Sequence, residues 1–140
     1  VGLSTALTDL HEEQLKAALI LGSGGASKAV AYVLEQMGAK VQIVSRKGPF
    51  RYADLTAEVL TEYPLIINTT PLGSFPNTTG CPAIPFEHVG PRHLLWDLIY
   101  NPNQTLFLKR GLEKSASVMN GMKMLLCQAE ASWDIWKKSV

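Results

Sequence analysis

A glycine-rich turn carries the clearest chemical signal in this 140-residue chain. Its residues are Gly22-Ser23-Gly24-Gly25-Ala26-Ser27. The turn follows an apolar run at 17–21 and precedes a segment of helical periodicity. Free main-chain N–H groups at the start of a helix suit the binding of phosphate. A strand–turn–helix unit of this kind predicts a dinucleotide site in which residues 22–26 hold the pyrophosphate. The alternative is a glycine turn that binds no ligand.

A basic pair follows the second apolar run, at residues 41–44. NAD-binding domains place Asp or Glu at this point, where the carboxylate accepts hydrogen bonds from the adenosine ribose. This chain has Ser45, Arg46 and Lys47 there. A guanidinium pairs with a phosphate in a bidentate, charge-assisted manner, whereas a carboxylate would repel it. NADP(H) is therefore favoured over NAD(H). In the alternative interpretation Arg46 and Lys47 are solvated loop charges.

These residues need a scaffold, and the rest of the chain predicts one. Short apolar runs alternate with longer segments of helical period, which is typical of an α/β protein. We expect a Rossmann-like doubly wound parallel sheet of about five to six strands, with helices on both faces. Strands are predicted at 17–21, 41–44, 65–68, 94–98 and 117–119. Helices are predicted at 26–37, 52–63, 105–114 and about 122–138, and the proline-rich stretch 69–91 as mainly loop.

Composition excludes several classes of protein. Lys and Arg number 13 and Asp and Glu 12, so the net charge of +1 gives no basic surface for nucleic acid. The apolar runs are too short for a membrane span and the start lacks a secretory signal, which predicts a cytoplasmic protein. Cys81 and Cys127 cannot form a metal site between them. No metal is expected, and His11, His88 and His93 are predicted as surface or loop residues.

Five segments together resemble the shikimate dehydrogenase family. They are residues 22–27, Val44-Ser45-Arg46, Asn68-Thr69-Thr70-Pro71-Leu72-Gly73, Asp97-Leu98-Ile99-Tyr100-Asn101-Pro102, and Asn120-Gly121-Met122-Lys123-Met124-Leu125 with Gln128. They occur in family order and cover nearly the whole chain. The resemblance implies that residues 1–140 are the NADP(H)-binding domain of an enzyme that reduces 3-dehydroshikimate to shikimate with NADPH. This reaction lies on the route to chorismate and the aromatic amino acids.

The resemblance also implies roles for single residues. Ser45, Arg46 and Lys47 match the segment that holds the 2′-phosphate, although Ser45 and Lys47 depart from the usual Asn-Arg-Thr. Asn68, Thr69 and Thr70 match a segment beside the cofactor riboses, Leu98 and Gly121 match residues near the nicotinamide, and Tyr100 and Gln128 match substrate contacts. Physical chemistry agrees in part, because Gly121 has no side chain to obstruct a flat ring and Gln128 offers both a donor and an acceptor. Otherwise Tyr100 is a loop anchor and Gln128 an ordinary polar helix position.

The family's catalytic Lys and Asp belong to its first domain, which this chain lacks by the same resemblance. We therefore assign no catalytic residue and expect the chain to be inactive by itself. Two other functions stay open at this point. One is a relative that also oxidises quinate. The other is a non-enzymatic module that binds or senses a dinucleotide, since one fold hosts many functions.

Overall fold

Five parallel strands form one sheet in the order β2–β1–β3–β4–β5. The structure, a computed structural model, describes residues 16–121. The strands are β1 (Ala17–Leu21), β2 (Lys40–Val44), β3 (Leu65–Asn68), β4 (Leu94–Asp97) and β5 (Ser117–Met119). The helices are α1 (Gly25–Gln36), α2 (Ala57–Glu62) and α3 (Leu106–Glu113), with single 3₁₀ turns at Tyr52–Asp54 and Phe86–His88.

Helices cover both faces of this sheet, which confirms the predicted Rossmann-like architecture. The three central strands β1, β3 and β4 are buried at every position, as their continuous apolar runs require. On one face Ile20 and Trp96 pack with Leu34 of α1. On the other face Leu95 packs with Phe107 of α3. Two apolar layers therefore sandwich the sheet.

Element boundaries agree closely with the sequence pattern. The strands at 17–21, 65–68 and 117–119 are confirmed, while β2 begins one residue earlier and β4 ends one residue earlier than predicted. Helix α1 begins at Gly25 and is closed by Gly38, whose φ is +89°. There the Ala39 N–H donates to the Leu34 carbonyl at 3.0 Å, which is the helix end that a glycine favours.

The helix predicted over 52–63 is wrong in its continuity. The chain forms a 3₁₀ turn and then α2, with Leu55 and Thr56 extended between them. Leu55 is 6% exposed and packs in the core, with its backbone extended rather than helical. The Thr56 hydroxyl then accepts a hydrogen bond from the Val59 N–H at 3.3 Å and starts α2 as its cap.

His93 lies in the loop before β4, as predicted for a surface or loop residue, but it is buried rather than exposed. Its Nδ1 accepts a hydrogen bond from the Gly90 N–H at 3.1 Å, and its Nε2 lies 2.7 Å from the Leu60 carbonyl oxygen. The ring thus provides a hydrogen-bond partner for two backbone groups, the Gly90 N–H and the Leu60 carbonyl. His88 is exposed, as expected.

The predicted final helix at 122–138, with Gln128 and Cys127, lies outside the described residues. Among residues 16–121 no helix has the length and apolar character needed to cross a membrane.

Candidate functional site

A cleft of about 420 Å³ opens where the carboxyl ends of β1, β2 and β3 meet. After β1 the chain passes to β2 on one side, and after β2 it crosses to β3 on the other side of β1. Loops that leave a parallel sheet in opposite directions part at such a point, and ligands of open α/β sheets bind there. The cleft is lined by Gly22, Ser23, Gly24, Ser45, Arg46, Tyr52, Thr69, Thr70, Pro71, Leu72, Cys81 and Ala83.

The glycine turn forms the floor of this cleft. The Gly22 N–H donates to the Val44 carbonyl at 2.8 Å, and its φ of +115° is accessible mainly to glycine. A Cβ at Gly22 would lie 2.6 Å from Thr69 Oγ1. The Thr69 hydroxyl is itself fixed, because it donates to the Leu21 carbonyl at 2.6 Å. The turn is therefore shaped by the protein's own packing at Gly22.

The first turn of α1 is open toward the cleft. Gly24 is its N-cap, no side chain caps it, and its first turn holds no acidic residue. A Cβ at Gly24 or Gly25 would meet no atom of the described chain within 4 Å. Ser27 stands at the third glycine position of the fingerprint, fully buried, with its hydroxyl donating to the Gly24 carbonyl at 2.6 Å. The helix thus offers free N–H groups and a positive dipole end to an anion.

Arg46 is the charged residue among those that line the cleft, and no acidic side chain in the described part of the chain joins it there. Its loop is held in shape by Ser45, whose hydroxyl accepts from the Gly48 N–H at 2.8 Å and whose N–H donates to the Phe50 carbonyl at 3.1 Å. Lys47 is exposed and does not line the cleft. The structure therefore brings Arg46 and Ser45 to the glycine turn, but not Lys47.

An apolar wall completes the cleft, and the sequence predicts no role for it. It consists of Tyr52, Pro71, Leu72, Cys81 and Ala83. Burial raises the pKa of the Tyr52 hydroxyl, and the nearby Arg46 opposes that rise. Burial likewise raises the pKa of the Cys81 thiol, against the effect of Arg110. Leu72 could have been found from its place beside Thr70, but nothing local in the sequence marks Tyr52 or Cys81.

The residues predicted beside the riboses divide into two groups. Thr69 and Thr70 are half-buried and line the cleft. Asn68 is fully buried, and its side chain is committed to protein groups. Its Nδ2 donates to Asp97 Oδ1 at 3.1 Å, and its Oδ1 accepts from both the N–H and the hydroxyl of Thr70, at 3.0 and 2.6 Å. Asn68 thus holds Thr70 rather than facing the cleft.

Asp97 ends β4 next to Asn68 and is the buried acidic group of the described sheet. Burial raises the pKa of its carboxyl, and hydrogen bonds from Thr105, Ile99 and Asn68 act in the opposite direction. The shortest of these is the Thr105 hydroxyl, which donates to Oδ2 at 2.7 Å. Thr105 also caps α3 by accepting from the Leu108 N–H at 3.3 Å.

The three remaining predicted residues within the described chain lie along the same edge of the sheet, beyond the cleft. Leu98 and Gly121 are in contact, and the Gly121 N–H donates to the Ile99 carbonyl at 3.1 Å. Tyr100 is 48% exposed. The next residue, Asn101, accepts a hydrogen bond at its carbonyl from the Phe75 N–H at 2.9 Å, so the loops after β3 and β4 are joined.

No three His, Cys, Asp or Glu side chains within residues 16–121 come together as ligands for a metal ion. A parallel sheet with an uncapped helix start above a glycine turn at the switch point defines a nucleotide-binding domain of the Rossmann type.

Comparison with known proteins identifies the family. A scan against protein-family models matched none of them. Among curated proteins, the chain is 38% identical over 139 residues to the shikimate dehydrogenase (NADP(+)) of Caldicellulosiruptor bescii, across 86% of this chain and 48% of that protein. It is 35% identical over 135 residues to the enzyme of the same name from Methanococcus maripaludis strain C7, across 84% of this chain and 48% of that protein.

Solved structures agree with this result. Shikimate 5-dehydrogenase of Thermus thermophilus, in complex with NADP(H) and shikimate, superposes with a TM-score of 0.80 at 29% identity, over 96% of this chain and 54% of that one. A chorismate mutase/shikimate 5-dehydrogenase fusion protein from Clostridium acetobutylicum gives 0.80 at 33% identity, over 98% and 54%. The chain belongs to the shikimate dehydrogenase family, and it spans about half the length of the curated relatives it matches.

Proposed function

We propose that this chain is the NADP(H)-binding part of a shikimate dehydrogenase. The observation that carries the proposal is the pairing of an uncapped α1 start with Arg46 in a cleft whose described lining holds no carboxylate. One end of that cleft suits a pyrophosphate and the other suits a further phosphate on the adenosine ribose. Relatives named for NADP(+) support this choice of cofactor.

Different residues of the cleft would bind different parts of the cofactor. The N–H groups of residues 23–26 would bind the pyrophosphate, and Arg46 would pair with the 2′-phosphate, with Ser45 beside it. The apolar wall of Tyr52, Leu72 and Ala83 offers a surface for the adenine base. Thr69 and Thr70 would face the riboses, with Asn68 behind them. Lys47 keeps a role only as a nearby positive charge.

The nicotinamide end would lie along the edge of the sheet at Leu98 and Gly121. Bound NADPH supplies a hydride at this end. Tyr100 and Gln128 would reach shikimate or 3-dehydroshikimate from this side, although Gln128 lies outside the described residues. A ketone reduction also needs a proton donor. We assign none to this chain and propose that the rest of the full-length protein provides it, on a separate domain.

Neither the quinate-oxidising relative nor the sensing module is favoured by a contact within residues 16–121. A cytoplasmic location and a lack of binding to nucleic acid stay predictions from composition.

Titration of the 140-residue chain with NADPH and NADH, followed by nicotinamide fluorescence, tests the cofactor. We expect saturable binding with NADPH the tighter ligand. Equal affinity, or tighter NADH, would contradict the role of the cleft. Reduction of NADP by shikimate should be absent with this chain and present with the full-length protein. Turnover by this chain alone would show that the proton-transfer group lies within it, and a full-length protein without turnover would contradict the enzyme.

A further inference from the structure

One buried carboxylate accepts hydrogen bonds from three segments at the carboxyl ends of β3 and β4. Asp97 is fully buried. Its Oδ1 accepts from Asn68 Nδ2 at 3.1 Å and from the Ile99 N–H at 3.0 Å. Its Oδ2 accepts from the Thr105 hydroxyl at 2.7 Å. The donors belong to the end of β3, the loop after β4 and the cap of α3.

The contact to Asn68 has a direction. An ionised carboxylate only accepts hydrogen bonds, so the amide must turn its NH₂ group toward Asp97. Its oxygen then faces Thr70, from which it accepts two hydrogen bonds at 3.0 and 2.6 Å. Thr70 lines the cleft, and its methyl group lies 3.2 Å from the position of a Cβ on Gly22. A chain of oriented hydrogen bonds therefore leads from Asp97 through Asn68 to Thr70, which lines the same cleft as the glycine turn.

The contact to Ile99 points the other way along the edge. The Ile99 N–H is fixed on Oδ1 two residues after Asp97, and Tyr100 follows it directly. The same oxygen thus sets the start of the loop that carries Tyr100.

We propose that Asp97 is a positioning residue that sets the two sides of the site relative to each other. It acts through Asn68 on Thr70 at the cofactor cleft and through the Ile99 N–H on the loop at 98–101. The inference rests on the proposed function for its meaning in binding. Asp97 itself is fully buried and does not line the cleft.

A purely structural role is the competing explanation, and the two oxygens allow the roles to be separated. Oδ2 supports α3 through Thr105, whose hydroxyl also caps that helix on the Leu108 N–H. Thr105→Val removes this support and leaves Oδ1 with both of its donors. Asp97→Ala removes all three contacts. Asp97→Asn can keep an oxygen toward Asn68 and Ile99 while its NH₂ group faces Thr105.

The experiment measures two quantities in the 140-residue chain: amide hydrogen exchange at Thr70 and Ile99 without cofactor, and the Kd for NADPH. In Asp97→Ala we expect faster exchange at both amides, because the Ile99 N–H loses its acceptor and Asn68 loses the group that turns its oxygen toward the Thr70 N–H. We expect an affinity about tenfold lower or worse. Asp97→Asn should restore both readouts to within about threefold of wild type. Thr105→Val should lower the melting temperature and change neither readout.

Two results would overturn the inference. One is unchanged exchange at Thr70 and Ile99 in Asp97→Ala. The other is a Thr105→Val variant that loses as much NADPH affinity as Asp97→Ala. Should Asp97→Ala not fold, Asn68→Ala decides: faster exchange at Thr70 with Ile99 still protected supports the inference, and unchanged exchange at Thr70 refutes it. Should wild type bind no NADPH, the proposed function fails, and the exchange rates by themselves still decide whether Asp97 sets the two loops.

Discussion

The main chain of Gly121 lies directly against the carbonyl group of Leu98. A Cβ at Gly121 would overlap the Leu98 carbonyl oxygen and lie closer than van der Waals contact to its carbon. The missing side chain at 121 therefore accommodates the protein's own backbone, whereas the sequence suggested that it leaves room for a flat ring. Gly121→Ala must displace one of the two loops, which we expect to lower the free energy of unfolding by about 1–3 kcal/mol.

Urea unfolding monitored by circular dichroism measures this loss. Gly25→Ala is the matched control, because a Cβ there meets nothing within 4 Å and the residue is in a helix. Alanine at 25 should leave stability unchanged or raise it by up to about 1 kcal/mol. Equal stability of the two variants would contradict the close packing of Gly121 on Leu98.

Gly22 and Gly24 should fail in different ways when each is replaced by alanine. Gly24 has an ordinary extended conformation, with φ −82° and ψ −168°, and open space around its Cβ position. Gly24→Ala should therefore cost less than about 1 kcal/mol of stability. It should still weaken NADPH and NADH alike, since the new methyl group enters the space of the shared pyrophosphate. Gly24→Val should block both.

Gly22→Ala should instead reduce stability, because of its positive φ and the Thr69 hydroxyl 2.6 Å from the new atom. Thermal unfolding and fluorescence titration of the two alanine variants separate these effects. A folded Gly24→Val protein with unchanged affinity for both cofactors would refute the assignment of the turn.

Arg46→Ala should discriminate between the two cofactors. The loss of a charge-assisted bond to phosphate corresponds to about 1.5–3 kcal/mol, or about ten- to a hundredfold in the Kd for NADPH. The Kd for NADH should change little. Arg92→Ala is the control. Arg92 is an exposed arginine two residues before β4, so it lies at the amino ends of the strands, whereas the cleft lies at their carboxyl ends. The same loss for NADH and NADPH would contradict a 2′-phosphate contact.

Asp97 should make the stability of the chain depend on pH. Its pKa in the fold lies above the ordinary value of 3.8, chiefly because of burial. The folded state then binds the proton more tightly than the unfolded state, so this contribution is fully present below 3.8 and is lost as pH rises through the folded pKa. Asp97→Asn replaces the carboxyl group with an amide that does not titrate, so this pH-dependent contribution to stability is absent from the variant.

The free energy of unfolding of Asp97→Asn should therefore increase relative to that of wild type as pH is raised from about 3 to about 7. The weaker contact to Thr105 adds only a constant offset. Urea titrations at several pH values measure this slope. A constant difference between the two proteins across the range would show that burial does not dominate at Asp97.

Local pattern was sufficient for the strands that are buried on both faces. β1 and β3 are continuous apolar runs. Gly22 follows the last residue of β1 and the polar Asn68 is the last residue of β3, so neighbouring residues in the sequence mark where each strand ends. The glycine turn and Arg46 were found for the same reason. The split of residues 52–63 was missed because helical periodicity alone does not show the extended Leu55 or the cap at Thr56 that begins α2.

The contacts that position the site are long-range, and the sequence did not reveal them. Asn68 and Asp97 are 29 residues apart, and their contact depends on the pairing of β3 with β4. The burial of His93 depends on Leu60, 33 residues away, in the same manner. The type of residue predicted a polar strand end at Asn68, but only the register showed that its side chain faces a carboxylate.

In the described sheet β2 has a neighbouring strand on one side only, and Arg46 lies in the loop that follows it. The glycine turn instead follows β1, which has a neighbouring strand on both sides. The turn proposed to bind the pyrophosphate, which NAD(H) and NADP(H) share, thus follows an interior strand. Arg46, proposed to distinguish the two coenzymes, follows a strand at the edge of the described sheet. Preference for one coenzyme or the other can consequently drift through replacements in a peripheral loop while the core stays unaltered.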